Sequence, residues 1–223
     1  MDPVIPRPIG AATRLFCLAG SLLLAISFTL IALWPSPPSD PVALSAWATD
    51  HLSSMAVSSE TAFFAGVLLM PGMVGLALAH PGGRRYPFLA GTILVCLGLA
   101  AYPLLVVLIQ GRLTLRLYDI ALTPDMIALL VSLLYGLIHN VALFFGFGLI
   151  LLAVAFASTR EAWWWTGATA AVGVLQLFAS FPWLAPPWLR VTCALALAVW
   201  MALATGQFFQ PAPERTSPHT TWA

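Results

Sequence analysis

From Met126 to Thr159 the chain carries no Asp, Glu, Lys or Arg. Only a bilayer or a large buried core accommodates so long an uncharged run. As a single helix it reaches roughly 50 Å at ~1.5 Å per residue, against a hydrocarbon core of ~30 Å. A tilt of ~40° takes up only about 26 residues. A helix over 126–157 must therefore stand partly outside the lipid, or break.

The rest of the sequence points the same way. Of 223 residues, 61% are hydrophobic and 8% charged, and the mean hydropathy is +0.94. Soluble domains carry roughly 25% charged residues, so this chain could not cover a water-facing surface. The expected fold is all-α: a polytopic membrane helical bundle of about six transmembrane helices whose main partner is the lipid bilayer. The nine basic residues are all arginine, a usage typical of GC-rich bacterial genomes. They cluster nowhere beyond Arg84-Arg85, which excludes a nucleic-acid partner.

Cys17, Cys96 and Cys193 fall in three different apolar segments, so they read as packed thiols. No Cys and His cluster at ligand spacing, so no metal site and no cofactor is expected. Nor is there a nucleophile elbow, a phosphate loop, a zinc-protease motif or a pair of intramembrane carboxylates.

In chain order, spans are expected at about 14–34, 60–80, 86–109, 126–157, 162–181 and 189–209. They form one membrane domain over 1–210, followed by a disordered tail at 211–223. The first apolar run ends in Trp34-Pro35-Ser36-Pro37-Pro38 and not in a small-residue cleavage site, so it reads as a retained span. In the first loop, Asp40-Pro41 is a helix start. Leu44, Trp47, His51 and Met55 then mark the apolar face of a short amphipathic helix. Pro71-Gly72 and Pro103 predict kinks, and residues 112–123 read as an interfacial segment. Thr123-Pro124 starts the long fourth helix. Trp163-Trp164-Trp165 announces the fifth at headgroup level. Ala194, Ala198 and Ala202 form a small-residue ridge on the sixth.

Six spans place both termini on one side. Six arginines fall there (7, 14, 84, 85, 160 and 215) against Arg112, Arg116 and Arg190 on the other. By the positive-inside rule the termini are cytoplasmic, in a bacterial plasma membrane. No residue pattern recurs at a fixed offset, which disfavours an inverted-repeat transporter.

The candidate functional residues centre on His139 and Asn140, the only strongly polar adjacent pair within the apolar segments. Ser132, Tyr135, His139 and Gly146 share one helical stripe. A buried imidazole must be neutral or paired, and Tyr135, one turn away, is a candidate partner. The pair reads either as an interhelical hydrogen bond that fixes packing or as a ligand or proton site. A metal or haem ligand is a third reading, without a second histidine at similar depth to support it. Glu60, Asp119 and Asp125 belong to the outer end with Arg112, Arg116 and Arg190. Gln176 and Ser180 read as interhelical hydrogen-bonding groups.

This layout resembles a group of small bacterial six-helix membrane proteins known as a domain of unknown function. The likeness covers a first span, a long loop with an amphipathic helix, two spans joined by a short basic turn, and a span with His139 followed by Phe144-Phe145-Gly146. It implies a six-helix membrane fold and no assigned activity.

Two functional classes remain open on the sequence. One is a non-enzymatic membrane protein that binds or transports a hydrophobic small molecule, or serves as an accessory subunit to other membrane subunits. The other is an intramembrane enzyme acting on a lipid-like substrate, with His139 as acid or base. In either case residues 126–137 are too apolar to stand in water. The helix bearing Leu44 and Trp47 is expected to cover them, roofing a pocket that holds His139, Tyr135 and Glu60.

Overall fold

The computed structural model describes residues 11–79, 85–102, 107–114, 122–157 and 163–208, and all the regular structure among them is helical. In order these are α1 (Ala11–Leu33), α2 (Pro41–Asp50), α3 (Leu52–Ala79), α4 (Arg85–Ala101), α5 (Val107–Thr114), α6 (Pro124–Phe156), α7 (Trp163–Ala179) and α8 (Pro187–Phe208). Several sequence expectations lie outside the described residues: the basic turn at 81–84, the Pro103 kink, the part of the interfacial segment at 115–121, the junction at 158–162 and the tail.

Among the described residues four helices are long and apolar enough to cross a membrane: Thr13–Leu33, Leu52–Gly75, Pro124–Phe156 and Pro187–Ala204. Helices α4 and α7 are shorter, at 17 residues each. Helix α6 is continuous over 33 residues, so its excess length is met by projection beyond the lipid and not by a break.

The helix starts follow from local chemistry. The Asp40 carboxylate accepts from the Ala43 amide at 2.8 Å, and the Thr123 hydroxyl accepts from Met126 at 3.3 Å. Each satisfies one orphan amide, and the proline that follows has no amide to satisfy. The expected amphipathic face divides at His51, the C-cap of α2. Leu44 and Trp47 are buried on α2, while Met55 is buried on α3. Helix α3 therefore begins eight residues before the expected second span, and it continues through Pro71.

Packing gathers the helices around two hubs. Helix α1 packs against α3 and α8, and α6 packs against α4 and α7. Glycine permits the closest of these approaches. A Cβ on Gly91 of α4 would lie 2.7 Å from the Gly148 carbonyl oxygen of α6, and one on Gly146 of α6 would lie 2.5 Å from Leu177 of α7. On α1, a Cβ on Gly20 would meet Leu69 and Leu68 of α3 at 2.9 and 3.0 Å. Lipid tails are as apolar as leucine, so helices in a bilayer gain by close van der Waals contact, and small residues make that contact possible. The Phe144-Phe145-Gly146-Phe147-Gly148 segment thus serves two partners, Gly146 turned to α7 and Gly148 to α4.

The hubs α1 and α6 make no extensive contact with each other. Aromatic rings bridge the seam between them, with Phe28 edge-on to Tyr102 at 4.6 Å and to Phe145 at 6.2 Å. Helices α2 and α5 both pack on α6, and α2 thereby lies over part of the long helix as its apolar face requires. In the first turns of α6 Val131 and Leu134 are buried, while Met126, Leu129 and Leu133 are exposed.

These contacts predict a contrast between two glycines. Gly→Ala in a helix interior normally gains about 0.5–1 kcal/mol. At Gly136, where a Cβ would meet nothing within 4 Å, Gly136→Ala should raise the thermal midpoint in mild detergent. At Gly91 the obstacle is backbone that cannot rotate away, so overpacking of about 1–3 kcal/mol should outweigh that gain. Gly91→Ala should lower the midpoint.

Candidate functional site: a polar-ended cavity in the seam

Three polar side chains lie at the end of the bundle where α1 finishes and α8 begins. Arg190, in the first turn of α8, is the only charged residue of that helix and is 8% exposed. One guanidinium nitrogen donates to the Trp34 carbonyl oxygen at 3.1 Å, across from the end of α1. Its Nε is buried with no hydrogen-bond partner. Among the described residues no carboxylate pairs with it. The location adds to the cost, because the amino end of a helix already carries partial positive charge.

Tyr135, near the middle of α6, has its hydroxyl buried and without a hydrogen-bond partner. Gln176 of α7 is buried, and its amide donates to the Cys193 carbonyl at 2.8 Å. These three side chains, with Tyr102, interrupt an otherwise apolar wall drawn from both hubs. Phe28, Ile31 and Ala32 come from α1, Ile138, Val141 and Ala142 from α6, and Ala194 from α8. The cavity they line is partly open and measures ≈ 60 Å³, room for a few waters or a small chemical group.

The geometry separates residues that the sequence grouped together. His139 does not line the cavity, and the expected bond to Tyr135 is not made. Its Nδ1 lies 2.5 Å from the Ser180 carbonyl oxygen, and a carbonyl can only accept, so this nitrogen carries the proton. Ser180 directly follows α7, where the last carbonyls lack intrahelical donors. A histidine donor at that end suits both the carbonyl and the helix dipole. Phe181 and Trp183 hold the ring from the side, with centroids at 5.2 and 5.7 Å. His139 therefore closes the end of α7 against α6.

Asn140 is exposed, and its amide returns to the Gly136 carbonyl at 3.0 Å. Glu60 is exposed on α3 and does not line the cavity. Helix α2 contributes no lining residue either. It lies one layer out, where Trp47 meets Trp34 edge-on at 6.3 Å and stacks on His51 at 4.9 Å. The Trp34 indole in turn donates to the Ser54 hydroxyl at 2.9 Å.

Sequence reasoning missed Arg190 as a site residue by counting it among the charges at a membrane face. A usable signal was present, since it is the sole charge in 189–209 and begins an alanine-rich, close-packing segment. Among the described residues no group of three or more His, Cys, Asp or Glu could hold a metal ion. Comparison with protein-family models, with curated proteins and with solved structures finds no match.

The role of His139 is open to direct test. His139→Phe keeps an aromatic ring against Phe181 and Trp183 but leaves the Ser180 carbonyl without its donor. Loss of this part-buried hydrogen bond costs about 0.5–1.5 kcal/mol, so the thermal midpoint should fall while occupancy of the seam cavity is retained. Native mass spectrometry beside a melting curve reads both.

Proposed function

We propose that this chain is a non-enzymatic, six-span protein of a bacterial plasma membrane that binds a small hydrophobic molecule in the seam between its hub helices. The observation that carries the reading is the cavity itself: an apolar chamber whose lining residues include a buried, incompletely bonded arginine and a tyrosine with an unbonded hydroxyl. Buried polar groups are ordinarily satisfied, and leaving one without a partner costs about 1–3 kcal/mol, more when it is charged. A ligand with a polar end and an apolar body would meet both needs of such a site.

Supporting the six-span layout, α4 and α7 are apolar and 17 residues long, at the lower limit of the ~17–25 that span a bilayer. With both termini cytoplasmic, α2 and the cavity lie toward the outer face. The accessory-subunit reading keeps the same fold but makes the exposed helix faces its functional surface. The enzyme reading has weaker support, because the nitrogen of His139 that is accounted for is engaged in closing α7.

Two measurements test this. Protein purified in mild detergent should carry a stoichiometric small hydrophobic molecule, and Ala142→Phe, which fills the cavity, should release it. An empty cavity together with a stoichiometric large partner would replace the binder with the accessory subunit. For topology, Ser45→Cys on α2 should react with a membrane-impermeant thiol reagent in intact cells, whereas Ser217→Cys should not.

A further inference from the structure

We infer that the seam cavity is a head-group site for a singly anionic amphiphile, its oxyanion held by Arg190 and Tyr135 and its apolar body extending out through the cavity's open side. The inference rests on reading the cavity as a ligand site and specifies the chemistry of that ligand. Four observations converge on it.

The first is charge. Arg190 remains protonated under any physiological condition, it is more than nine-tenths buried, and its protein partner among the described residues is a neutral carbonyl. A buried cation without a counter-ion costs several kcal/mol, and a neutral ligand leaves that cost standing. An anion removes it.

The second is donor geometry. Guanidinium has five N–H donors, and its planar edge matches the two oxygens of a carboxylate or phosphate. With one nitrogen anchored on Trp34 and Nε unbonded, the group is held in position but not saturated. Tyr135, whose hydroxyl is unbonded, lines the same cavity and supplies a further donor. The third is the helix dipole: Arg190 sits in the first turn of α8, so the amino end of that helix adds positive potential where the oxyanion would lie.

The fourth is the remainder of the wall. Aliphatic and phenyl side chains make up most of it, and one N–H of the Gln176 amide is committed to the Cys193 carbonyl. A strongly hydrated free ion would lose its water shell there without replacement donors. An anion bearing an apolar chain suits both ends. Carboxylate and phosphate heads share this chemistry.

The full chain in phosphatidylcholine nanodiscs provides the test, with thermal midpoint and tryptophan fluorescence as readouts. Laurate and dodecyl phosphate are the anionic probes, dodecanol the neutral one, and acetate and inorganic phosphate the water-soluble anions. Either or both anionic amphiphiles should bind saturably, at least about tenfold more tightly than dodecanol, a ratio typical of a hydrogen bond to a charged group. Arg190→Met should abolish that preference. Tyr135→Phe removes one oxygen only and keeps the test valid if the arginine variant does not fold. It should weaken laurate or dodecyl phosphate roughly tenfold while leaving dodecanol unchanged.

Dodecanol binding as tightly as laurate and dodecyl phosphate would overturn the anionic head while leaving a hydrophobic ligand site intact. Acetate or phosphate binding as tightly as its dodecyl counterpart would overturn the apolar body. Binding of no probe would overturn both this inference and the ligand-binding reading beneath it.

Discussion

Close approach of helix backbones is the constraint on which this architecture depends. Water drives helices together in soluble proteins, but lipid does not, so the bundle relies on van der Waals contact at short range. Glycines supply it on both sides of α6, through the Gly91–Gly148 and Gly146–Gly173 contacts, and on α1 through Gly20. Each hub can draw its own neighbours that close. The two hubs do not draw each other close, because the side chains between them are large: Phe28, Tyr102, Phe145 and Tyr135. A seam filled by rings of fixed shape packs less completely than one lined by glycine and alanine, and the cavity lies in that seam.

Polar groups elsewhere in the same interior show how differently the cavity is treated. The Ser27 hydroxyl donates to the Ser58 carbonyl at 2.8 Å, and with its one proton committed it can only accept from Tyr102 at 3.1 Å. That ties α1, α3 and the end of α4 together. The Trp200 indole donates to Thr169 at 2.9 Å while its ring stacks on Trp165, joining α8 to α7. Gln176 and His139 each take a backbone carbonyl on another helix or at its end. In these pairs donors and acceptors are matched. Buried polar atoms without a hydrogen-bond partner occur outside the cavity too, at Thr29, Trp47 and Thr166. Arg190 and Tyr135 are the two such residues that line one chamber.

Much of the helix layout was legible in the sequence, because it is written in short-range chemistry. Asp40-Pro41 and Thr123-Pro124 each encode a cap and a first turn within a few residues, and the charge-free run after Asp125 encodes a helix longer than a bilayer is thick. The division of the amphipathic face at His51 was less visible. Leu44, Trp47 and Met55 do share a periodicity, but a shared periodicity cannot say whether one helix or two helices carry it. The functional residues were the least legible. His139 drew attention as a polar residue in an apolar run, yet its partner is the Ser180 carbonyl, 41 positions away. No local pattern reveals an orphan carbonyl at the end of another helix. Arg190 presents the converse case. A charge near a predicted span end is ordinarily a headgroup contact, and only the fold shows that Trp34, 156 positions earlier, meets it in the interior.

The chemistry of the cavity wall also bears on binding as opposed to catalysis. Acid–base catalysis needs a group that exchanges a proton near neutral pH. Arginine holds its proton throughout, a glutamine amide has none to exchange, and tyrosine ionises only near pH 10 even in water. The one imidazole nearby presents its protonated Nδ1 to a carbonyl outside the cavity. The cavity wall carries no Ser, Cys or Lys, and its hydroxyls are the phenols of Tyr102 and Tyr135. Cys193, the thiol closest in sequence to Arg190, is turned toward the Leu175 carbonyl at 3.2 Å. What remains at the polar end are donors that fix and neutralise a negative charge. Such a set can stabilise a bound anion, which is the chemistry the proposed ligand site relies on.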